Sequence, residues 1–346
     1  MSDIAVAGGR TAWRGRLGTE TRAAGKARDT RRALQLVLAA IWLLDAALQY
    51  QPFMYSKAFG QTLSAAAAGD PGVIARPITW DAALVEQHAV LLNTIFATAQ
   101  LLLALGIAFR PTARLALGAS IAWAIGVWWF GEGLGGVLTG NASPVSGAPG
   151  AVIIYALLAV LLWPADRDGE PAPCTAARAI GARPARALWL VLWLSLAYFA
   201  LLPASRAPQA LSGMLSSLES GEPGWLAAID RGAAVLVAGR GLAASIVLAM
   251  TLALIAVGVY LPRPAARVTL VLAIVVATAI WVFGEAFGAI FTGSATDPNS
   301  GPLLVLLALA YWPVTTMTAA RAPAAPRRGR HRHRQRPPAG SHRITA

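Results

Sequence analysis

The stretch Trp128-Trp129-Phe130-Gly131-Glu132 returns 153 positions later as Trp281-Val282-Phe283-Gly284-Glu285, and each copy closes a long apolar run. The echo continues at the same offset. Arg110-Pro111-Thr112-Ala113-Arg114 answers to Arg263-Pro264-Ala265-Ala266-Arg267, and Gly135, Thr139 and Gly140 answer to Gly288, Thr292 and Gly293. Chance likeness between apolar segments rarely keeps charged and glycine punctuation in register, so the chain reads as internally duplicated. Trp42 and Pro52 against Trp193 and Pro203, and Gly69-Asp70-Pro71-Gly72 against Gly221-Glu222-Pro223-Gly224, carry the duplication into the first loop of each half.

Composition places the duplicated unit in a bilayer. Hydrophobic residues make up 56% of the chain and charged residues 13%, outside the usual globular range. Eight apolar runs, each a candidate helix because lipid-exposed backbone must bond within its own segment, span Ala33 to Tyr50, Val85 to Phe109, Leu115 to Phe130, Ala151 to Trp163, Leu188 to Leu202, Leu236 to Leu261, Val268 to Phe283 and Leu303 to Val314. The fourth and eighth fall short of the roughly 20 residues that cross a bilayer, so they extend into loops or are shielded by neighbours. The predicted fold is an all-α integral membrane protein with eight transmembrane helices arranged as two parallel four-helix repeats. Its parts are a basic arm over 1–32, a first repeat over 33–164, a connector over 165–186, a second repeat over 187–317 and a basic tail over 318–346.

Orientation follows from the basic residues. Of the 29 Lys and Arg, 24 lie in the arm, the Arg110/Arg114 turn, the connector, the Arg263/Arg267 turn and the tail; Lys57, Arg76, Arg206, Arg231 and Arg240 occupy the alternate loops. The positive-inside rule therefore puts both termini in the cytoplasm. An even number of helices per repeat makes the halves parallel, related by an axis along the membrane normal. The wealth of Arg over Lys and of Ala points to a GC-rich bacterial genome, hence the plasma membrane. The segment Pro52 to Ala68 mixes Phe53, Met54, Tyr55, Phe59 and Leu63 with Lys57 and Gln61, which suits a short helix at the interface.

The formal net charge of +13 belongs to these topology signals rather than to specific nucleic-acid recognition. The tail from Arg321, rich in Arg, Pro and His, is expected to be disordered and to meet anionic lipid head groups. Cys174 is the only cysteine, which excludes an intrachain disulfide and a thiolate metal cage. His88 is the one histidine near the bilayer, so a haem held by two histidines of this chain is excluded as well. No metal site and no evident cofactor are expected, and without a complete catalytic motif the chain reads as a non-enzyme.

Polar residues inside apolar runs are the candidates for function, because a charge at the bilayer centre costs about 2.5–3.5 kcal/mol even on the lenient insertion scale. Asp45 lies roughly 18 Å along the first helix and Gln49 one turn further on. Asn93 and Gln100, seven residues apart on the second helix, share a face at a comparable depth. The four compose a candidate intramembrane site in the first repeat, or else hydrogen-bonded glue between helices. The second repeat has Leu196 where the first has Asp45. Glu132 and Glu285 each follow an inner-end Arg by 18 residues, and with His88 they compose a candidate outer-interface site; the bland alternative is a carboxylate that caps a turn. Trp128, Trp129, Trp163, Trp281 and Trp312 read as interface-belt anchors.

Four helices per unit, a long outer loop after the first, a tight basic inner turn between the second and third, and a Gly-containing outer loop before the fourth resemble the DoxX-like membrane proteins. The likeness of layout covers Ala33 to Trp163 and Leu188 to Pro313, and the segment Trp42 to Phe53 (WLLDAALQYQPF) is similar in placement to that family's first helix and exit. Fusion of two units departs from the family's usual single one. The resemblance implies an accessory or redox-associated membrane subunit, with a membrane redox partner or a second copy of the chain as partner and quinone as the only cofactor. The alternative is a small-solute or ion transporter with its polar site in the first repeat.

Overall fold

The computed structural model describes residues 29–166, 172–219 and 223–314. Nearly all of the basic arm, the tail, and Gly221-Glu222 of the loop echo lie outside them, and with them the expectation of lipid contact at the termini. The described residues are helical, with no strand among them and one isolated bridge between Cys174 and Pro313.

In the first half, α1 covers 29–48, so Arg31 and Arg32 are helical rather than the end of an arm. After a short turn come α2 (Lys57–Ala65), α3 (Gly72–Gln87), α4 (Ala89–Ala108), α5 (Ala113–Phe130) and α6 (Ala151–Leu161). In the second half, α7 (Ala177–Ile180) leads into α8 (Ala182–Ala200), followed by α9 (Pro203–Arg206), α10 (Ala210–Leu218), α11 (Gly224–Val237), α12 (Gly241–Gly258), α13 (Arg263–Ala279) and α14 (Ser300–Ala310). Two apolar runs are shorter as helices than their sequence suggests. Val85 to Phe109 breaks at His88, which leaves helical angles (φ −128°, ψ 36°) between α3 and α4, and Leu236 to Leu261 breaks at Ala238–Arg240 between α11 and α12. Both breaks fall where the apolar run meets polar residues.

Four helices are long and apolar enough to cross a membrane: α4, α5, α12 and α13, the last continuing through a π-turn to Gly284. Their outward faces carry large apolar side chains that nothing among the described residues covers, among them Leu102, Leu115, Val247, Met250 and Val268. A water-soluble protein of this size rarely leaves so much contiguous apolar surface open, and a lipid-facing helix must. These features define a membrane protein.

The centre is built differently. α6 and α14 have only eleven residues each, about 16 Å of helix, and eight residues of each are buried. They pack on one another, α5 flanks α6, and α13 flanks α14. One continuous core joins Trp42, Tyr155, Leu158, Trp189, Trp193, Leu304 and Leu307 across both halves.

Cations close the helix ends opposite the long loops. Arg31 donates to the carbonyls of Trp163 (3.2 Å) and Ala165 (3.1 Å) beyond the end of α6, Gln35 donates to that of Leu162 (2.8 Å), and Arg32 donates to Ile107 (2.8 Å) and Ala108 at the end of α4. The last carbonyls of a helix lack internal donors and carry partial negative charge, so all three side chains supply a partner and the two arginines a counter-charge as well. Arg31 and Arg178 also hold Asp166, whose carboxyl is partly buried; the two guanidiniums outweigh that burial and keep its pKa below the usual carboxylate range.

Candidate functional site

Two loops with the same construction lie at the other end of the bundle. After α5 the chain takes left-handed angles at Leu134 and Gly135, and after α13 it does so at Phe287, Gly288 and Ala289. A Cβ on Gly135 would sit 2.0 Å from the Pro149 carbonyl oxygen, and one on Gly288 2.6 Å from that of Pro298, so each loop folds flat against the residues that start the next helix. The duplicated motif fastens that contact. The Trp128 indole N–H donates to the Pro149 carbonyl at 2.6 Å, and the Trp281 indole N–H to the Pro298 carbonyl at 2.9 Å. Glu132 Oε1 accepts from the Val152 amide (3.4 Å), while Glu285 accepts from the Gly301 amide (3.0 Å), the Ser300 amide (3.3 Å) and the Ser300 hydroxyl. A carboxylate at the first turn of a helix meets unpaired amides and the positive end of the macrodipole.

Trp128 and Trp281 are thus loop clamps rather than belt anchors, although Trp129 and Trp312 are exposed as an anchor would be. Trp163 lies under the Arg114 guanidinium, 5.7 Å from its ring centroid. Glu285 sits in the loop beyond the span, and burial pushes its carboxyl up to about 7.

Between the first-half helices and this end lies a cavity of about 590 Å3. Its polar lining comprises Asp45 and Gln49 from α1 and the turn after it, Asp81 from α3, Gln100 from α4, Glu132 from the loop after α5, and Thr296 with Asp297 from the loop before α14. Trp42, Phe59, Phe96, Trp123 and Phe130 supply aromatic walls. Asp45 is 2% exposed; its Oδ2 accepts from the Tyr155 hydroxyl at 2.5 Å, and its Oδ1 has no partner among the described residues. The Tyr155 ring packs on Trp42 at 4.3 Å between centroids, which fixes the phenol under Asp45. Gln49 Oε1, Gln100 Oε1 and Glu132 Oε2 are also buried without partners, as are the indole nitrogens of Trp42 and Trp123. Asp297 is held by the Asn299 amide (2.7 Å) and the Thr296 hydroxyl (2.8 Å).

Of the residues singled out in the sequence, Asp45, Gln49, Gln100 and Glu132 meet in this cavity. Asn93 does not line it: fully buried, its side-chain amide donates to the Gln49 carbonyl at 2.7 Å and ties α4 to the end of α1. The hydrogen bond to Asp45 expected from Gln49, Asn93 or Gln100 comes instead from Tyr155, on the central helix. Glu285 occupies the equivalent of Glu132 in the other half, outside the cavity, and His88 is exposed at the α3–α4 break. Tyr155, Asp81 and Asp297 went unnoticed in the sequence. Asp297 has a legible signal, since it lies where the register of the two halves slips from 153 at Gly140/Gly293 to 149 at Ala151/Ser300. Among the described residues no group of three or more His, Cys, Asp or Glu could hold a metal ion.

No protein-family model, no curated protein and no solved structure matches the chain.

Proposed function

We propose that this is an eight-span plasma-membrane protein of two fused, parallel DoxX-like units, with both termini cytoplasmic, and that it binds a small solute in the carboxylate-lined cavity and carries it across the bilayer. The spans are α1, α4, α5, α6, α8, α12, α13 and α14. Supporting the repeat, α4, α5 and α6 neighbour one another in the same order as α12, α13 and α14, and the Trp and Glu loop clamps recur in both halves. The short α6 and α14 are enclosed by neighbours, and the loops 131–150 and 284–299 lead into their first turns. Arg31, Arg32 and Asp166 mark the cytoplasmic end, and the cavity lies toward the outside.

The observation that carries the transport reading is the origin of the carboxyl groups: Asp45, Asp81 and Glu132 belong to the first half and Asp297 to the second. Rocking one half against the other would move Asp297 relative to Asp45 and so couple occupancy to access, as in transporters built from repeats. Gly126 lines the cavity, and a Cβ there meets nothing within 4 Å, so Gly126→Phe fills the space without a clash at its root. The full-length protein in native-lipid particles, analysed by mass spectrometry, is expected to retain a small solute that Gly126→Phe loses, and wild-type proteoliposomes are expected to take that solute up. Retention of the same molecules by both forms refutes the reading.

The accessory redox reading rests on the layout resemblance. An oxidised quinone offers carbonyl acceptors, and the donors among the lining residues are the Gln49 and Gln100 amides and the indoles of Trp42 and Trp123, set beside four carboxyl groups. Co-purification with a quinone-reactive enzyme would favour a redox subunit over a carrier.

A further inference from the structure

We infer that the cavity recognises an organic monocation, a protonated amine on an aromatic or aliphatic body; this rests on the solute-binding reading of the same cavity. Four carboxyl groups line it and, among the described residues, no Lys, Arg or His does. One of them, Asp45, is buried with an oxygen that nothing among the described residues satisfies. A buried carboxylate left with an idle lone pair is costly, and the only group it can accept from is an N–H or O–H brought in from outside. An ammonium supplies that donor together with the opposite charge, and charge-assisted bonds of this kind are roughly twice as strong as neutral ones.

The walls select the rest of the ligand. Trp42, Phe59, Phe96, Trp123 and Phe130 offer ring faces and edges to a cation and apolar area to its body. A bare metal ion needs about six oxygens within roughly 2.5 Å, and a space of about 590 Å3 lined mainly by carbon, without a close ligand cluster among the described residues, does not provide them. That volume falls within the roughly 300–1,000 Å3 of pockets that enclose small organic ligands. An anion meets four carboxyl groups and, among the described residues, no Lys, Arg or His to pair with. A neutral hydroxyl satisfies the hydrogen bond but brings no counter-ion to an ionised Asp45.

The test is calorimetric titration of the full-length protein in lipid nanodiscs with three isosteric probes: phenethylammonium, 2-phenylethanol and 3-phenylpropionate. The ammonium is expected to bind at least about tenfold more tightly than the alcohol, a difference of about 1.4 kcal/mol, and the carboxylate is expected not to bind. Asp45→Asn keeps the shape and the acceptor but removes the charge, and is expected to weaken the ammonium by about tenfold or more while leaving the alcohol unchanged. Asp297→Asn, in the loop of the other half, is the second variant should Asp45→Asn fail to fold, and it is expected to act in the same direction. No binding of the ammonium, equal binding of all three probes, or an undiminished ammonium affinity in whichever variant folds overturns the assignment. Uptake of a neutral or anionic solute that Gly126→Phe abolishes would overturn the cation class and leave the cavity's role in transport standing.

Discussion

Asp45 and Tyr155 are separated by 110 positions in the chain and meet through one hydrogen bond, which joins α1 to α6. Tyr155→Phe removes the one side-chain donor to Asp45 among the described residues and is expected to cost about 1–3 kcal/mol of stability, because a buried acceptor is then left bare. In a double-mutant cycle, Asp45→Asn combined with Tyr155→Phe is expected to cost less than the sum of the single changes, measured by thermal unfolding in detergent. Glu285 makes a second prediction at this scale. Its pKa in the folded state is raised by burial, so the protonated form is the one the fold favours; the stabilisation is complete below about pH 4.5 and is lost as pH rises through about 7. Melting temperature is expected to fall between pH 5 and pH 8, and Glu285→Gln to flatten that dependence. At residue level the sequence exposed Asp45, because an acid in an apolar run is conspicuous, and concealed Tyr155, because a tyrosine in such a run reads as one more aromatic. No pattern within either helix encodes a contact made between them.

The elements that hold the site are two loops folded against the helix that follows each. Gly135→Ala and Gly288→Ala each force a side chain into a backbone carbonyl at a positive φ, and each is expected to lower stability by at least about 1–3 kcal/mol. Gly140→Ala is the control: its φ is also positive, at +75°, but a Cβ there meets nothing within 4 Å, so its loss is expected to be the smallest of the three in the same melting series. The duplicated Trp, Glu and Gly positions were visible as a repeat, yet their task was not. Recurrence at a fixed offset reveals that two segments are built alike, whereas the bond from Trp128 to Pro149 depends on how the chain turns back. The break at His88 was hidden for a related reason: apolar residues resume directly after it at Ala89, and periodicity does not register where the backbone leaves helical angles.

For the whole molecule, the partition of basic residues predicts that a cysteine placed at Gly340, in a Cys174→Ser background, reacts with an impermeant maleimide only after the membrane is opened. Labelling in intact cells would reverse the proposed orientation. The apolar outer faces of α4, α5, α12 and α13 were legible from composition, since lipid exposure demands them. The central placement of α6 and α14 was not, because a short apolar run is compatible with an edge, a loop or a core. Their enclosure bears on how the protein is made. A helix of about 16 Å emerging from the ribosome cannot hold a transmembrane position alone, and it finds its level only when a longer helix already in the bilayer draws it in. On the proposed eight-span arrangement, biogenesis is expected to proceed in hairpins, α5 with α6 and later α13 with α14, with the cavity completed only when the loop carrying Asp297 arrives with the final helix.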